Sequence, residues 1–222
     1  MALGHFNDSL GAIMSGRTLR HSVSQFLSAF PQPVRPDPIP TASAYIDLRQ
    51  STDLTSMLGV QVMRDLLQII FSPVALLAEA EGGKIYDMHG DGALVAFRGD
   101  NRVDRAFATA MMVQRSIVAD FQPGLASATC GQIKLRFRIG IDDGPMCSGI
   151  VTDLSGPART FWVGGNIGNK ISQAMEPSMG IAVSQRAFDL LSPEIREKNI
   201  WSDPVEILIG GESLLIRTCP QP

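Results

Sequence analysis

The chain has 222 residues, of which 45% are hydrophobic and 18% charged, with a formal net charge of -3 at pH 7. That is long enough for one filled core and too apolar for a disordered chain. It has no long basic run, so it lacks the clustered Lys and Arg that a nucleic-acid backbone requires, whereas a small anionic substrate stays open where metal ions bring the positive charge.

In chain order, residues 1–30 place Leu10, Ile13, Met14, Leu19, Val23, Phe26, Leu27 and Phe30 at helical spacing and are read as an N-terminal helical segment. Five prolines from Pro31 to Pro40 forbid helix and favour an extended spacer, so 31–41 is expected to be a linker and 42–222 the main domain. An apolar strand runs from Ala42 through Leu48. Leu54, Leu58, Val62, Leu66, Ile69 and Ile70 then mark one helix face, with Pro73 expected to break or restart the helix before Gly82-Gly83 ends it. The richest apolar run, Leu66 to Leu77, contains Gln68, Ser72 and Pro73, so no membrane span and a cytoplasmic protein are expected. Lys84 to Met88 and Ala93 to Phe97 read as a hairpin about His89-Gly90-Asp91-Gly92.

Asn101 is placed to cap a second helix that carries Val103, Phe107, Ala110, Met111, Ile117 and Phe121 on one face, with Gln114 off pattern. Ile133 to Ile141 and Met146 to Val151 read as two strands around a turn at Asp142-Asp143-Gly144-Pro145. Phe161-Trp162-Val163 is a further strand, followed by a helix from about Ile167 to Glu176, a strand at Ile181 to Val183, and a closing hairpin about Gly210-Gly211. Cys130, Cys147 and Cys219 show no CxxC spacing and no nearby His, so buried free thiols are expected. The order of elements is that of a split βαβ: an α+β, ferredoxin-like βαββαβ domain. Its antiparallel sheet would carry helices on one face and meet a partner or ligand on the other.

Two aspartates stand out. Asp47 and Asp91 each lie at the edge of a predicted strand, where a carboxylate can face a phosphate-bound divalent ion without being buried unpaired. Neither decides anything alone, because Asp-Gly is a common hairpin turn and an acid near a strand end also caps helices. Their weight comes from two further segments, Arg138-Ile139-Gly140-Ile141-Asp142-Asp143-Gly144 and Trp162 through Gln173. Ser148 and Ser155 have no His and acid partners for a hydrolase triad.

Together these segments resemble the class III nucleotidyl cyclases, whose domains show F-x-D-I-x-x-F-T, a G-D-G hairpin, an R-I-G-I strand and G-x-x-V-N-x-A-x-R in that order. The likeness covers Ala42 to Arg217. It implies a head-to-tail homodimer with composite active sites, in which Asp47, Asp91 and the main-chain carbonyl of Leu48 hold two Mg²⁺ or Mn²⁺ ions. It also implies that main-chain amides about Arg49, Gln50, Ser51 and Thr52 meet the phosphates, and that Asn169 of the other subunit orients the ribose.

The departures from that pattern matter as much. The family's transition-state arginine falls on neutral Gln173, and its phosphate-binding lysine has no counterpart in Ile209-Gly210-Gly211-Glu212. Arg49, Lys84, Arg136, Arg159 and Lys170 all stay open as replacements. The two purine-reading positions fall on Asp87 and Trp162, which match neither the ATP nor the GTP pattern, and Tyr45 replaces the usual phenylalanine. Tyr-x-Asp with eroded purine contacts resembles the pyrimidine cyclases of bacterial Pycsar antiphage systems, which make cyclic UMP or cyclic CMP. The resemblance implies a pyrimidine nucleoside triphosphate substrate and a separate effector protein that responds to the cyclic nucleotide. Two alternatives stay open: a catalytically inactive nucleotide-binding or dimerisation module, and an adenylyl cyclase with altered base contacts.

Overall fold

Ile39–Leu48 forms β1, an inner strand with neighbours on both sides. Its alternation divides the molecule. Ala42, Ala44, Ile46 and Leu48 enter the main core, whereas Tyr45 joins a smaller cluster with Leu94, Ala96 and Met146. The computed structural model describes residues 38–151, 159–175 and 179–220; the predicted helical segment 1–30 and residues 31–37 lie outside the described residues. Pro40 belongs to β1 rather than to a spacer. It faces Pro145 and lies beyond the point where the strand on its other side begins pairing, at Thr41 opposite Arg98, so its missing N–H costs little.

After β1 come α1 (Ser51–Leu58), α2 (Val60–Ala80), β2 (Gly83–His89), β3 (Gly92–Arg98) and α3 (Arg102–Ser116). A π-helical turn, Ile117–Phe121, leads into α4 (Gln122–Ala128). Then follow β4 (Phe137–Val151), β5 (Arg159–Val163), α5 (Asn166–Ala174), β6 (Met179–Ser184), α6 (Gln185–Leu190), α7 (Pro193–Lys198), β7 (Val205–Ile209) and β8 (Glu212–Pro220). The sheet runs β2-β3-β1-β4-β6-β8-β7, with β5 paired to the outer end of β4. It is antiparallel except for the β4–β6 pair, which is parallel because α5 crosses between them.

The first predicted helix is two. Gly59, with φ 79, ends α1, while Pro73 sits inside α2 without breaking it. Met63, Ile70, Phe71, Val74 and Ala78 form the buried face of α2, each large side chain stabilising by roughly 1.5–3 kcal/mol on burial. Among the described residues α2 is the one helix long and apolar enough to cross a membrane, yet that face packs against α3 and β2. Asn101 precedes α3 as expected, but in a left-handed conformation, φ 53, with no side-chain cap bond.

Asp142-Asp143-Gly144-Pro145 is no turn. The segment runs straight through β4 because both carboxylates find distant cations: Arg102 donates to Asp143 at 2.6 and 2.9 Å, and Arg186 grips Asp142, one bond at 2.8 Å. Of the three thiols only Cys219 is buried; Cys130 is exposed in the left-handed turn after α4, and Cys147 is half-buried on β4.

The sheet face opposite α2 and α3 is not wholly open either. There α5 covers Ala182 and Ile216 with Ile171 and Met175. Two glycines let it approach so closely: a Cβ on Gly140 would overlap the Gly168 carbonyl, and one on Gly168 would lie 2.8 Å from the Gly140 carbonyl. The part of that face above β2, β3 and β1 is left for the site.

Candidate active site

Strand pairing sets Asp47 opposite Gly92 on one side and Arg138 on the other. Leu48 N–H donates to the Asp91 carbonyl at 3.1 Å, which ties the end of β1 to the Gly90-Asp91 turn. The two expected carboxylates are therefore neighbours. Arg138 Nε donates to Asp47 Oδ2, a partner that sequence reasoning missed although it opens the Arg138-Ile139-Gly140-Ile141 segment. Burial pushes the Asp47 carboxyl above the usual carboxylate range; Arg138 opposes the shift and Asp91 adds to it. Tyr45, two residues earlier on the same face, has its phenol pushed up by burial and then by Asp47, Asp91 and Asp87. Gly92 makes room for it, since any Cβ there would overlap the Tyr45 hydroxyl.

Residue 50 begins α1 in an unusual way. Arg49 N–H donates to the Arg136 carbonyl at 2.8 Å, Gln50 turns through φ 58, and the first helical bond is Leu54 N–H to the Gln50 carbonyl at 2.9 Å. The amides of Ser51, Thr52 and Asp53 precede that bond and have no helical acceptor. Ser51 and Thr52 line a cleft of about 400 Å³ with Thr55, Arg64, Gly90 and Asp91. A second cleft, about 390 Å³, lies beside Gln50 and Asp53 and is lined on its far wall by Gln132, Lys134 and Arg136. Among the cations left open by the sequence, Arg49 joins Arg138 in opposing the rise of the Asp47 pKa, as the smallest of its causes, and its Nη1 is buried with no hydrogen-bond partner among the described residues.

Elsewhere the expected residues behave differently. Asp87 follows an irregularity in the β2–β3 pairing, and its carboxylate turns back on its own hairpin, accepting from Met88 N–H at 2.9 Å and lying 3.1 Å from His89 Nδ1. Trp162, opposite Ser148, meets Tyr86 edge-on with ring centroids 4.3 Å apart. Arg98 lies across both rings. Neither Tyr86 nor Arg98 was singled out from sequence; the only signal was their place on the strands flanking the glycine-aspartate hairpin. Asn169 lies on α5, where Gln173 Nε2 donates to its Oδ1 at 2.9 Å.

Among the described residues no three His, Cys, Asp or Glu side chains converge. The fit for divalent ions rests instead on two neighbouring carboxylates whose charges already disfavour one another, with main-chain carbonyls beside them. Those residues suit hard cations.

No protein-family model and no curated protein sequence matches the chain. Solved structures do. The adenylyl cyclase CyaB from P. aeruginosa superposes with a TM-score of 0.69 at 20% identity, covering 81% of this chain and 93% of that one. The fold is that of a class III nucleotidyl cyclase domain. The guanylyl cyclase Cya2 gives 0.71 at 20% identity, covering 83% and 93%. The guanylate cyclase domain of RhGC from Catenaria anguillulae, solved with GTP, gives 0.68 at 18%, covering 84% and 98%. Adenylyl and guanylyl cyclases share this scaffold, so it does not by itself select a base.

Proposed function

We propose that this chain is a metal-dependent nucleotide cyclase that converts UTP or CTP into the 3′,5′-cyclic monophosphate and pyrophosphate. The observation that carries the reading is the Asp47–Asp91 pair, joined through Leu48 N–H and set beside the unpaired amides of Ser51 and Thr52. In the reaction O3′ loses its proton to solvent, a bond forms from O3′ to the α-phosphorus, and the bond from that phosphorus to the bridging oxygen of the pyrophosphate breaks. Asp47, Asp91 and the Leu48 carbonyl are the residues that would hold Mg²⁺ or Mn²⁺, which supplies Lewis acidity toward O3′ and neutralises the triphosphate. The amides at the start of α1 orient the phosphates, Arg138 holds the Asp47 carboxylate in place, and Asn169 from a second subunit meets the ribose.

The choice of pyrimidine is supported by the loss of both purine readers and by the bulk of Trp162, at one of those positions, packed edge-on against Tyr86, the neighbour of Asp87 at the other. A homodimer with composite sites goes with this reading through the class III cyclase resemblance, a cytoplasmic setting through the interrupted apolar run at Leu66 to Leu77, and a role in antiphage signalling with a separate cyclic-nucleotide effector through the Tyr45-x-Asp47 resemblance.

Incubating the pure full chain with each of the four ribonucleoside triphosphates and Mn²⁺ tests it. Cyclic UMP or cyclic CMP is the expected product, and exclusive cyclic AMP or no product would sink the claim. Asp47→Ala and Asp91→Ala should each lower turnover at least ~100-fold, the scale on which one transition-state electrostatic contact acts, with the thermal melt still cooperative. A second reading, a module that binds nucleotide without turning it over, is favoured by neutral Gln173 bonded to Asn169. Metal-dependent UTP binding without pyrophosphate release would decide for it.

A further inference from the structure

We infer that Arg98 reads the base and selects uracil over cytosine, an assignment that rests on the pyrimidine-cyclase reading above. Arg98 ends β3 and lies opposite Thr41. Its guanidinium carbon is 5.4 Å from the Tyr86 ring centroid and 5.7 Å from that of Trp162, so two aromatic rings at 75° to one another fix where it sits. Its Nε is buried and has no hydrogen-bond acceptor among the described residues. That buried N–H stays unsatisfied, and the guanidinium has no hydrogen bond or ion pair among the described residues, so its other N–H groups are free for an acceptor brought in from outside.

The acceptor in question is set by what else faces the aromatic pair. Asp87, the neighbour of Tyr86, has its carboxylate directed at its own hairpin, toward Met88 N–H and His89, and not at the aromatic pair that holds Arg98. Arg98 can only donate. Uracil presents carbonyl oxygens at positions 2 and 4, whereas cytosine carries an amino group at position 4 whose N–H bonds would point at another donor. Both bases share the carbonyl at position 2, so the discrimination is made at position 4: a donor-only reader set against that edge favours uracil, and leaves the cytosine amino group and the guanidinium mutually unpaired. Trp162, the residue at the purine-reading position, acts in this scheme as the wall that holds Arg98 and not as a reader itself.

The test is kcat/KM for UTP and for CTP, measured on the full-length wild type, Arg98→Ala and Arg98→Lys, with a thermal melt of each. The wild type is expected to prefer UTP. Arg98→Ala should lower the UTP-to-CTP ratio by about tenfold or more, the discrimination that a well-placed guanidinium contributes against the wrong base. Arg98→Lys keeps a donor without the planar fork, so its ratio should fall between the two. It also decides the matter if the alanine variant fails to fold. A wild-type preference for CTP, or an unmoved ratio in a variant that melts like the wild type, overturns the assignment of Arg98 while leaving a pyrimidine cyclase standing. A wild type that makes no cyclic pyrimidine overturns the reading on which it rests.

Discussion

Asp47 sits where burial and its charged neighbours act against one another. Burial raises its pKa, the Arg138 guanidinium pulls it down, and Asp91 pushes it up again, with burial the largest of the three. The sign for stability follows from linkage. A carboxyl whose folded pKa lies above its unfolded value of about 3.9 contributes stability that is fully present below that value and is lost as pH rises through the folded pKa. In metal-free buffer the Asp47 contribution to the wild-type Tm should therefore fall as pH rises above the ordinary carboxylate range. Asp47→Asn removes this dependence, so its Tm relative to wild type should climb with pH. The unpaired Arg138 adds only an offset, because arginine does not titrate in this window. Differential scanning fluorimetry from pH 4 to 8 in EDTA measures the slope; equal slopes in the two proteins would mean that Asp47 ionises normally.

The strands and the hairpin around Asp91 are legible in the sequence because alternation and a Gly-Asp-Gly turn are local signals. Asp142-Asp143-Gly144-Pro145 misleads for the same reason. Its turn-like composition is overruled by Arg102 and Arg186, 41 and 44 residues away, which no local pattern shows. The candidate site divides likewise: Asp47 and Asp91 are picked out by motif order, whereas the contacts of Arg138 and Arg98 come from strand register and from the aromatic pair. Gly140 and Gly168 are a case between the two, present in the motifs but meaningful only once α5 lies on β4. A methyl group on Gly140 would overlap the Gly168 carbonyl and come within 2.7 Å of Ser172 N. Gly140→Ala should therefore lift α5 and cost about 1–3 kcal/mol or more, as overpacking does. A urea titration gives the stability loss. Because α5 carries Asn169, turnover should fall further than the lost fraction of folded protein explains.

At the scale of the whole molecule, the proposed function divides the site residues of one chain into two half-sites. Under the proposed function, Asp47, Asp91 and the start of α1 are the metal and phosphate half, while Asn169 and Gln173 on α5, with Lys170 between them, belong to the ribose half. Under the proposed head-to-tail pairing these halves come from different subunits, and each site draws its carboxylates from one copy and its asparagine from the other. That arrangement has a consequence a monomeric enzyme cannot imitate. Asp47→Ala and Asn169→Ala should each be nearly inactive alone, yet a mixture re-equilibrated at low concentration and then concentrated should regain part of the wild-type rate. In the mixed dimer one site collects both defects and the other collects neither. Recovery should grow with total protein until dimer formation saturates, and Asp47→Ala mixed with Asp91→Ala should recover nothing, since both lesions fall in the same half. Restored cyclic-nucleotide formation in the first mixture and silence in the second would establish the composite site; activity that never returns in the first would place the whole reaction within a single chain.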